Sequence, residues 1–166
     1  MLIRTERPED VDAIDRLTVA AFEPQGFSDG SEAPILRALR ASGELTLSLV
    51  AEDDGDVIGH VAFSPVTVDG LHDGWFGLGP ISVRLDRQRQ GVGRALVAEG
   101  LGRLRDLGAR GCALIGDPTI YGRMGFTSGS LSHGELDPSA VQHVTFSDPS
   151  PRGELRFAPS FGAAGH

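Results

Sequence analysis

The stretch Gln88-Arg89-Gln90-Gly91-Val92-Gly93-Arg94 is the place in this sequence where residue types and spacing point most directly to chemistry. It lies where a β-like run ends and a long helical repeat begins. Backbone N–H groups at the start of a helix have no partner within it, and the aligned peptide dipoles there favour an anion. Glycines at 91 and 93 let the chain curl around such an anion without Cβ clashes. Arg84, Arg87, Arg89 and Arg94 fall within eleven residues, beside a single acid, Asp86. The chain as a whole carries a formal charge of −8, so the patch runs against the general trend. Two common phosphate loops fail on the letters. A dinucleotide fingerprint needs a third glycine three residues after Gly93, where Leu96 stands, and it opens the first strand of a fold, whereas this loop lies mid-chain. A nucleoside-triphosphate loop needs Gly-Lys-Ser/Thr, and the sequence has no lysine. What remains is a Gln-x-x-Gly-x-Gly loop fit for a pyrophosphate-sized anion.

The missing lysine narrows the chemistry further. All 15 basic residues are arginine, so no Schiff-base lysine and no kinase lysine exists. No Gly-x-Ser-x-Gly elbow supports a serine hydrolase. His60, His72, His133 and His143 are scattered, with no spacing that suits a metal, and none is expected. Cys112 lies inside an apolar run and reads as buried filling. As the only cysteine it forms no internal disulfide, which fits a reducing cytoplasm. The acidic balance argues against a nucleic-acid partner and mildly favours a cationic small molecule. No apolar run reaches the ~18 residues of a membrane span, and the first residues lack the layout of a secretory leader.

The elements that must position the loop can be read from periodicity and breakers. Leu2–Thr5 reads as a strand. Pro8, Glu9 and Asp10 suit a first helical turn, and Val11, Ile14, Leu17 and Ala21 follow at helical spacing. Glu23–Gly30 is loop-like. Ser31 is placed to cap a second helix with Ile35, Leu36 and Leu39 on its apolar face, closed by Gly43. Leu45–Glu52 and Val57–Phe63 form a hairpin about Asp53-Asp54-Gly55-Asp56. Trp75–Val83 is a strand interrupted by Gly77, Gly79 and Pro80, a sign of a bulge or of close approach by a ligand. A helix from Val92 to Leu107 presents Val97, Leu101, Leu104 and Leu107, and Gly108 ends it. Cys112–Ile115 is a strand and Pro118–Met124 a short helix, with Gly125-Phe126 turning back into a strand. Val141–Phe146 and Glu154–Phe157 are weaker β-like stretches. With no linker or repeat, one domain over residues 1–166 is expected. The fold class is α/β (α+β), a central mixed sheet with helices on both faces.

Ile81-Ser82-Val83, the loop Gln88-x-x-Gly91-x-Gly93-Arg94-Ala-Leu96, and the later Tyr121-Gly-Arg-Met-Gly125-Phe126 together resemble the coenzyme A-binding region of the GNAT superfamily of N-acetyltransferases. The match is strongest from Leu78 to Phe126. Gly108–Pro118 resembles a bacterial subgroup of mostly unassigned substrate. The resemblance implies a mostly antiparallel, twisted sheet, with acetyl-CoA as cosubstrate and no metal. It implies that Ile81, Ser82 and Val83 on a bulged strand hold the pantetheine arm. A backbone N–H near Ile81 would serve as oxyanion donor, and Gln88, Arg89, Gln90, Gly91, Val92, Gly93 and Arg94 would hold the pyrophosphate. Tyr121, the only tyrosine, takes the family's place for the acid that protonates the departing thiolate. Glu32, in the segment that borders the acceptor pocket, is the candidate base, with Asp117 as an outsider. The acetyl group would pass directly to a primary amine, on a small molecule or a peptide N-terminus, in a ternary complex. An acyl-CoA sensor without turnover and a transferase of another acyl group fit the same motifs. Trp75 and Phe76 are candidates to border the acceptor, and a homodimer through the C-terminal strands is compatible with the weak pattern after Gly134.

Overall fold

The computed structural model describes residues 1–24 and 30–162. The expected loop at Glu23–Gly30 therefore lies largely outside the described residues. The chain opens with strand β1 (Leu2–Thr5), a single 3-10 turn at Pro8–Asp10, and helix α1 (Val11–Phe22). Ile14, Leu17, Thr18 and Ala21 form one buried stripe on α1, the i, i+3, i+4, i+7 pattern of a helix lying on a sheet. Helix α2 (Glu32–Ser42) follows and ends at Gly43, which takes the left-handed conformation at φ 78°. The expected Ser31 cap is made by the backbone, whose carbonyl accepts from the Ile35 N–H at 2.9 Å, and not by a side-chain capping bond.

Strands β2 (Leu47–Asp53) and β3 (Asp56–Pro65) form the expected hairpin. Asp54 and Gly55 both have positive φ, 51° and 82°, the two-residue turn that matches strand twist. Residues Ile58–Ser64 of β3 are buried without a break, because helices cover the sheet on both faces. A two-residue strand β4 (Thr67–Val68) precedes β5 (Trp75–Val83), then helix α3 (Val92–Asp106), β6 (Gly111–Ile115) and α4 (Pro118–Tyr121). A 3-10 turn over Gly122–Met124 completes the expected short helix. The remainder is β7 (Thr127–Ser128), β8 (Leu131–Ser132), β9 (Val141–Thr145) and β10 (Gly153–Arg156).

The main sheet has seven strands in the order β1-β2-β3-β5-β6-β9-β7, antiparallel except for the β5–β6 pair. A small second sheet runs β4-β10-β8. The architecture is the mixed, mostly antiparallel α/β one expected. β9 and β10 each have neighbours on both edges, so neither presents a wholly free edge for pairing with a second copy. No helix among the described residues is long and apolar enough to cross a membrane.

Helix α3 packs Val92, Leu96, Val97, Leu101 and Leu104 against Leu49, Ala51, Val61 and Phe63 of the sheet. On the other face, Ile14, Ile35, Leu36 and Leu39 of α1 and α2 cover Val50 and Ala62. Leu107 departs from expectation. It is 64% exposed, because α3 stops at Asp106 and the chain turns through Gly108 at φ 84°, so that Ala109 re-enters the core instead. The approach of α3 to the sheet depends on Gly100, where a Cβ would overlap the buried Phe63 ring. Gly100→Val is therefore expected to lower stability by about 2 kcal/mol in urea unfolding, as overpacked cores do. Unchanged stability would mean that α3 can shift at no cost.

Candidate active site

The site begins with a split in the sheet. β5 pairs with β3 along its length but with β6 only over Trp75–Gly77. Beyond Gly77 the two parallel strands part, and one edge of β5 is left open. The register between β3 and β5 shifts between Val61 and Phe63, opposite Gly79 and Pro80. Gly79 sits at φ 139°, a conformation that side chains disfavour, which explains the glycine in this strand.

Strand parity decides which backbone groups meet the opening. The Arg84 N–H donates to the Ile58 carbonyl of β3 at 2.8 Å. Backbone groups alternate edges along a strand, so Ser82 also turns to β3, while Ile81 and Val83 turn their N–H and C=O groups to the open edge. Ser82 sends its side chain into the core, buried beside His60 by register, and its Oγ has no partner. Ile81 and Val83 thus face the opening, and Ser82 does not.

The loop continues from that edge. Arg89 and Gly91 both adopt positive φ, 63° and 85°, and curl the chain into α3. Among the described residues none of the six N–H groups from Arg89 to Arg94 has a hydrogen-bond acceptor, and the first bond of the helix is Ala95 N–H to Gly91 at 3.0 Å. Unpaired N–H groups at the positive end of a helix of four turns are an arrangement that favours an anion. Gln88 and Gln90 act on the loop itself. Their amides donate to the Val83 carbonyl at 3.1 Å and the Asp86 carbonyl at 3.2 Å. The four arginines divide. Arg84 pairs with Asp86 and Arg87 with Asp53, each at 2.6 Å. Arg89 and Arg94 make no ion pair or hydrogen bond among the described residues. Arg94 also lines a groove of about 200 Å³ between α3 and the turn after α4, with Arg123 on its far side. Arg123 was not singled out from the sequence, since its position across from Arg94 depends on that turn folding back beside α3.

Tyr121 ends α4, just past β6, the far wall of the split. Its ring packs on Gly116, where a Cβ would come within 2.6 Å, and meets Phe126 edge-on at 6.0 Å. Burial, and secondarily the Asp117 carboxylate, raise the phenol above its ordinary value. It is therefore fully protonated at neutral pH. Its hydroxyl makes no hydrogen bond among the described residues. Asp117 is engaged as the cap of α4, accepting from the Thr119 N–H and Oγ at 2.8 Å each, which holds its own carboxyl below the usual range.

Across β5, on the α1–α2 side, lies a cavity of about 680 Å³. Phe22, Glu32 and Ile35 line it from the helices, Leu78–Pro80 from the bulged strand, and Arg156–Pro159 with Phe161 and Gly162 from the C-terminal segment. Glu32 and the bulge therefore border one space. The C-terminal wall was not foreseen. Its sequence is short of periodicity, and only tertiary folding brings it over β5. Trp75 lies instead in a small buried cluster with Val66, Leu131 and Leu155, away from this cavity. Cys112 is fully buried, and burial pushes its thiol up, so no thiolate is available there. Among the described residues no group of three or more His, Cys, Asp or Glu could hold a metal ion.

Comparison with known proteins places these features in a family. The family model described as acetyltransferase (GNAT) family matches residues 11–126. The uncharacterized N-acetyltransferase YhbS of Escherichia coli (strain K12) is 47% identical over 127 residues, 76% of this chain and 73% of its own length. A GNAT family acetyltransferase from Brucella melitensis, solved in complex with acetyl-CoA, superposes with a TM-score of 0.87 at 46% identity, covering 96% of this chain and 97% of that one. The Escherichia coli YhbS structure in complex with CoA gives a TM-score of 0.89 at 37% identity, covering 97% and 91%.

Proposed function

Because the chain belongs to the GNAT acetyltransferase family, we propose that it moves the acetyl group of acetyl-CoA to a primary amine by direct attack within a ternary complex. The observation that carries the reading is the continuity of three features: the cradle of free N–H groups at Arg89–Arg94, the open β5 edge at Ile81 and Val83, and the cavity that meets this edge at Gly79-Pro80. The first suits a pyrophosphate, the second an amide-bearing pantetheine arm, and the third an acceptor arriving from the opposite side.

In this reading the residues divide the work as follows. The Arg89–Arg94 amides, with the side chains of Arg89 and Arg94, neutralise the phosphates. Ile81 through its N–H and C=O, and Val83 through its N–H, pair with the arm as a neighbouring strand would. A backbone N–H near Ile81 stabilises the oxyanion as the amine nitrogen bonds to the carbonyl carbon. Glu32 takes the proton that the attacking ammonium must lose, directly or through water. Tyr121 donates a hydrogen bond and then a proton to the sulfur as the carbon–sulfur bond breaks. Direct transfer is preferred because the one cysteine, Cys112, is sealed in the core and cannot carry the acyl group. We read residues 1–166 as one transferase domain, and place it in the cytoplasm on the strength of its single free cysteine.

The test is turnover of an amine panel with acetyl-CoA, comparing the native chain with Tyr121→Phe. The variant is expected to lose about 100-fold in kcat with little change in KM for acetyl-CoA, the range for a lost general acid. Tight binding of acetyl-CoA with no acetylation of any amine would leave an acyl-CoA sensor as the reading. Preferential use of a longer acyl-CoA would revise the donor.

A further inference from the structure

The walls of the cavity across β5 say something about what enters it. Phe22, Ile35, Leu78, Phe157 and Phe161 make most of it apolar and aromatic. The C-terminal wall is built as a firm surface. Phe157 packs against Phe161 with ring centroids 5.1 Å apart, and the His133 ring meets Phe157 edge-on at 5.7 Å. His133 Nδ1 is 2.7 Å from the Leu155 carbonyl, and Ser160 Oγ donates to Glu44 at 2.6 Å, fastening the segment to the end of α2.

Among the described residues that line this space, one is acidic and one is an arginine: Glu32 and Arg156. Arg156 makes no hydrogen bond or ion pair among the described residues. The nearest acid along its strand, Glu154, is taken up by Ser132 Oγ at 2.8 Å and the Gly134 N–H at 2.9 Å, and Arg156 adds only a weak Coulombic pull on it. A guanidinium stays charged at every accessible pH and is shaped to grip a carboxylate through two parallel hydrogen bonds. A plain cationic amine would find one favourable charge in this cavity and one repulsive one. In a chain of net charge −8, an unengaged cation on an aromatic wall points to an anionic group on the ligand.

We propose that the acceptor is an amine whose apolar or aromatic body also bears an acid group, and that Arg156 receives that group. The inference rests on the cavity being the acceptor site. It replaces the bias toward a purely cationic acceptor that net charge alone suggests.

The test is a binding contest that needs no catalysis. With the coenzyme site saturated by CoA, the native chain and Arg156→Gln are titrated with 3-phenylpropionate and with 3-phenylpropanamide, which share one body and end in a carboxylate or a neutral amide. The native chain is expected to bind the acid at least tenfold more tightly than the amide, and Arg156→Gln, folded by its Tm and with unchanged CoA affinity, to bind the two alike. Equal binding by the native chain, binding of neither, or a preference for the acid that survives in the variant would overturn the proposal. Kinetics then extend the result: kcat/KM for phenylalanine over phenethylamine should exceed one in the native chain and fall by at least tenfold in the variant. Absence of turnover with both amines, alongside the expected binding contrast, would count against the transferase reading and not against Arg156.

Discussion

Replacing Gly93 with glutamate is expected to weaken acetyl-CoA binding by about 1,000-fold, about 4 kcal/mol, without loss of stability. Gly93 stands in the first turn of α3 and does not need a positive φ. A Cβ there would meet nothing nearer than Val83 Cγ2 at 3.7 Å and Ile81 Cδ1 at 3.9 Å, which is ordinary contact. The side chain is therefore accommodated, and an acid in the first turn gains about 0.3–1 kcal/mol from the helix dipole. The same dipole and the same N–H groups are what a pyrophosphate would use, so the new carboxylate occupies its place and repels it. The native chain is expected to bind in the micromolar range, about −8 kcal/mol, by calorimetric titration. Gly93→Ala, which fills the same space without charge, should retain affinity to within a few-fold. Gly91 is the poorer position for this experiment. Its φ of 85° would add backbone strain to any substitution and confuse lost binding with lost structure. If Gly93→Glu kept its affinity to within tenfold and its Tm, the diphosphate would have to bind elsewhere than the Arg89–Arg94 amides.

The parts of the fold that were legible in the sequence are those whose cause is local. Asp54-Gly55 fixes a turn by its own φ preferences, Gly43 and Gly108 stop helices, and the spacing of Ile14, Leu17 and Ala21 reflects a one-sided burial that any helix on a sheet repeats. The turn into α3 was legible for the same reason, since Gly91 takes its φ of 85° through its own backbone preference, while Gly93 already lies in the first turn of the helix. Leu107 misled because periodicity cannot say where the sheet beneath a helix ends. The pairing of Arg84 with Asp86 and of Arg87 with Asp53 shows the limit for charge: a run of four arginines reads as one positive patch, although one local and one tertiary ion pair neutralise half of it. Ser82 was adjacent in sequence to two residues that face the opening but is turned away by strand parity, which only the register with β3 reveals. The cavity wall contributed by the C-terminal segment from Arg156 was invisible for a topological reason. β10 belongs to a second sheet, pairing with β4 and β8, and that pairing brings Arg156, Phe157, Ala158 and Pro159 to the cavity. No spacing within the segment encodes this.

His60 supplies a prediction of comparable size in stability. It lies on β3 at 0% exposure, its Nε2 2.8 Å from Ser48 Oγ, which in turn donates to Glu6, itself paired with Arg40. Its Nδ1 has no partner among the described residues. Burial lowers its pKa from 6.5 to about 4, against a smaller opposing pull from Glu6. The sign follows from proton counting. Between these two values the unfolded chain holds a proton on His60 that the folded chain refuses, so acid favours unfolding. The contribution is complete above pH 6.5 and is lost as pH falls toward 4, a loss of about 3 kcal/mol in all. His143, also lowered by burial, adds in the same direction. Glu6 and Asp10 are held below the ordinary carboxylate range by Arg40 and Arg4, and they add their own acid lability only as pH drops below their unfolded values, 4.5 and 3.8. The interval from pH 6.5 to 4.5 is therefore mainly the histidine's. Urea unfolding across it should show stability falling steeply in the native chain, and falling much less in His60→Gln, which replaces the ring by an amide that does not titrate. A variant that kept the native slope would assign the acid lability to other groups, and would mean that His60 is already protonated in the folded chain through its link to Glu6.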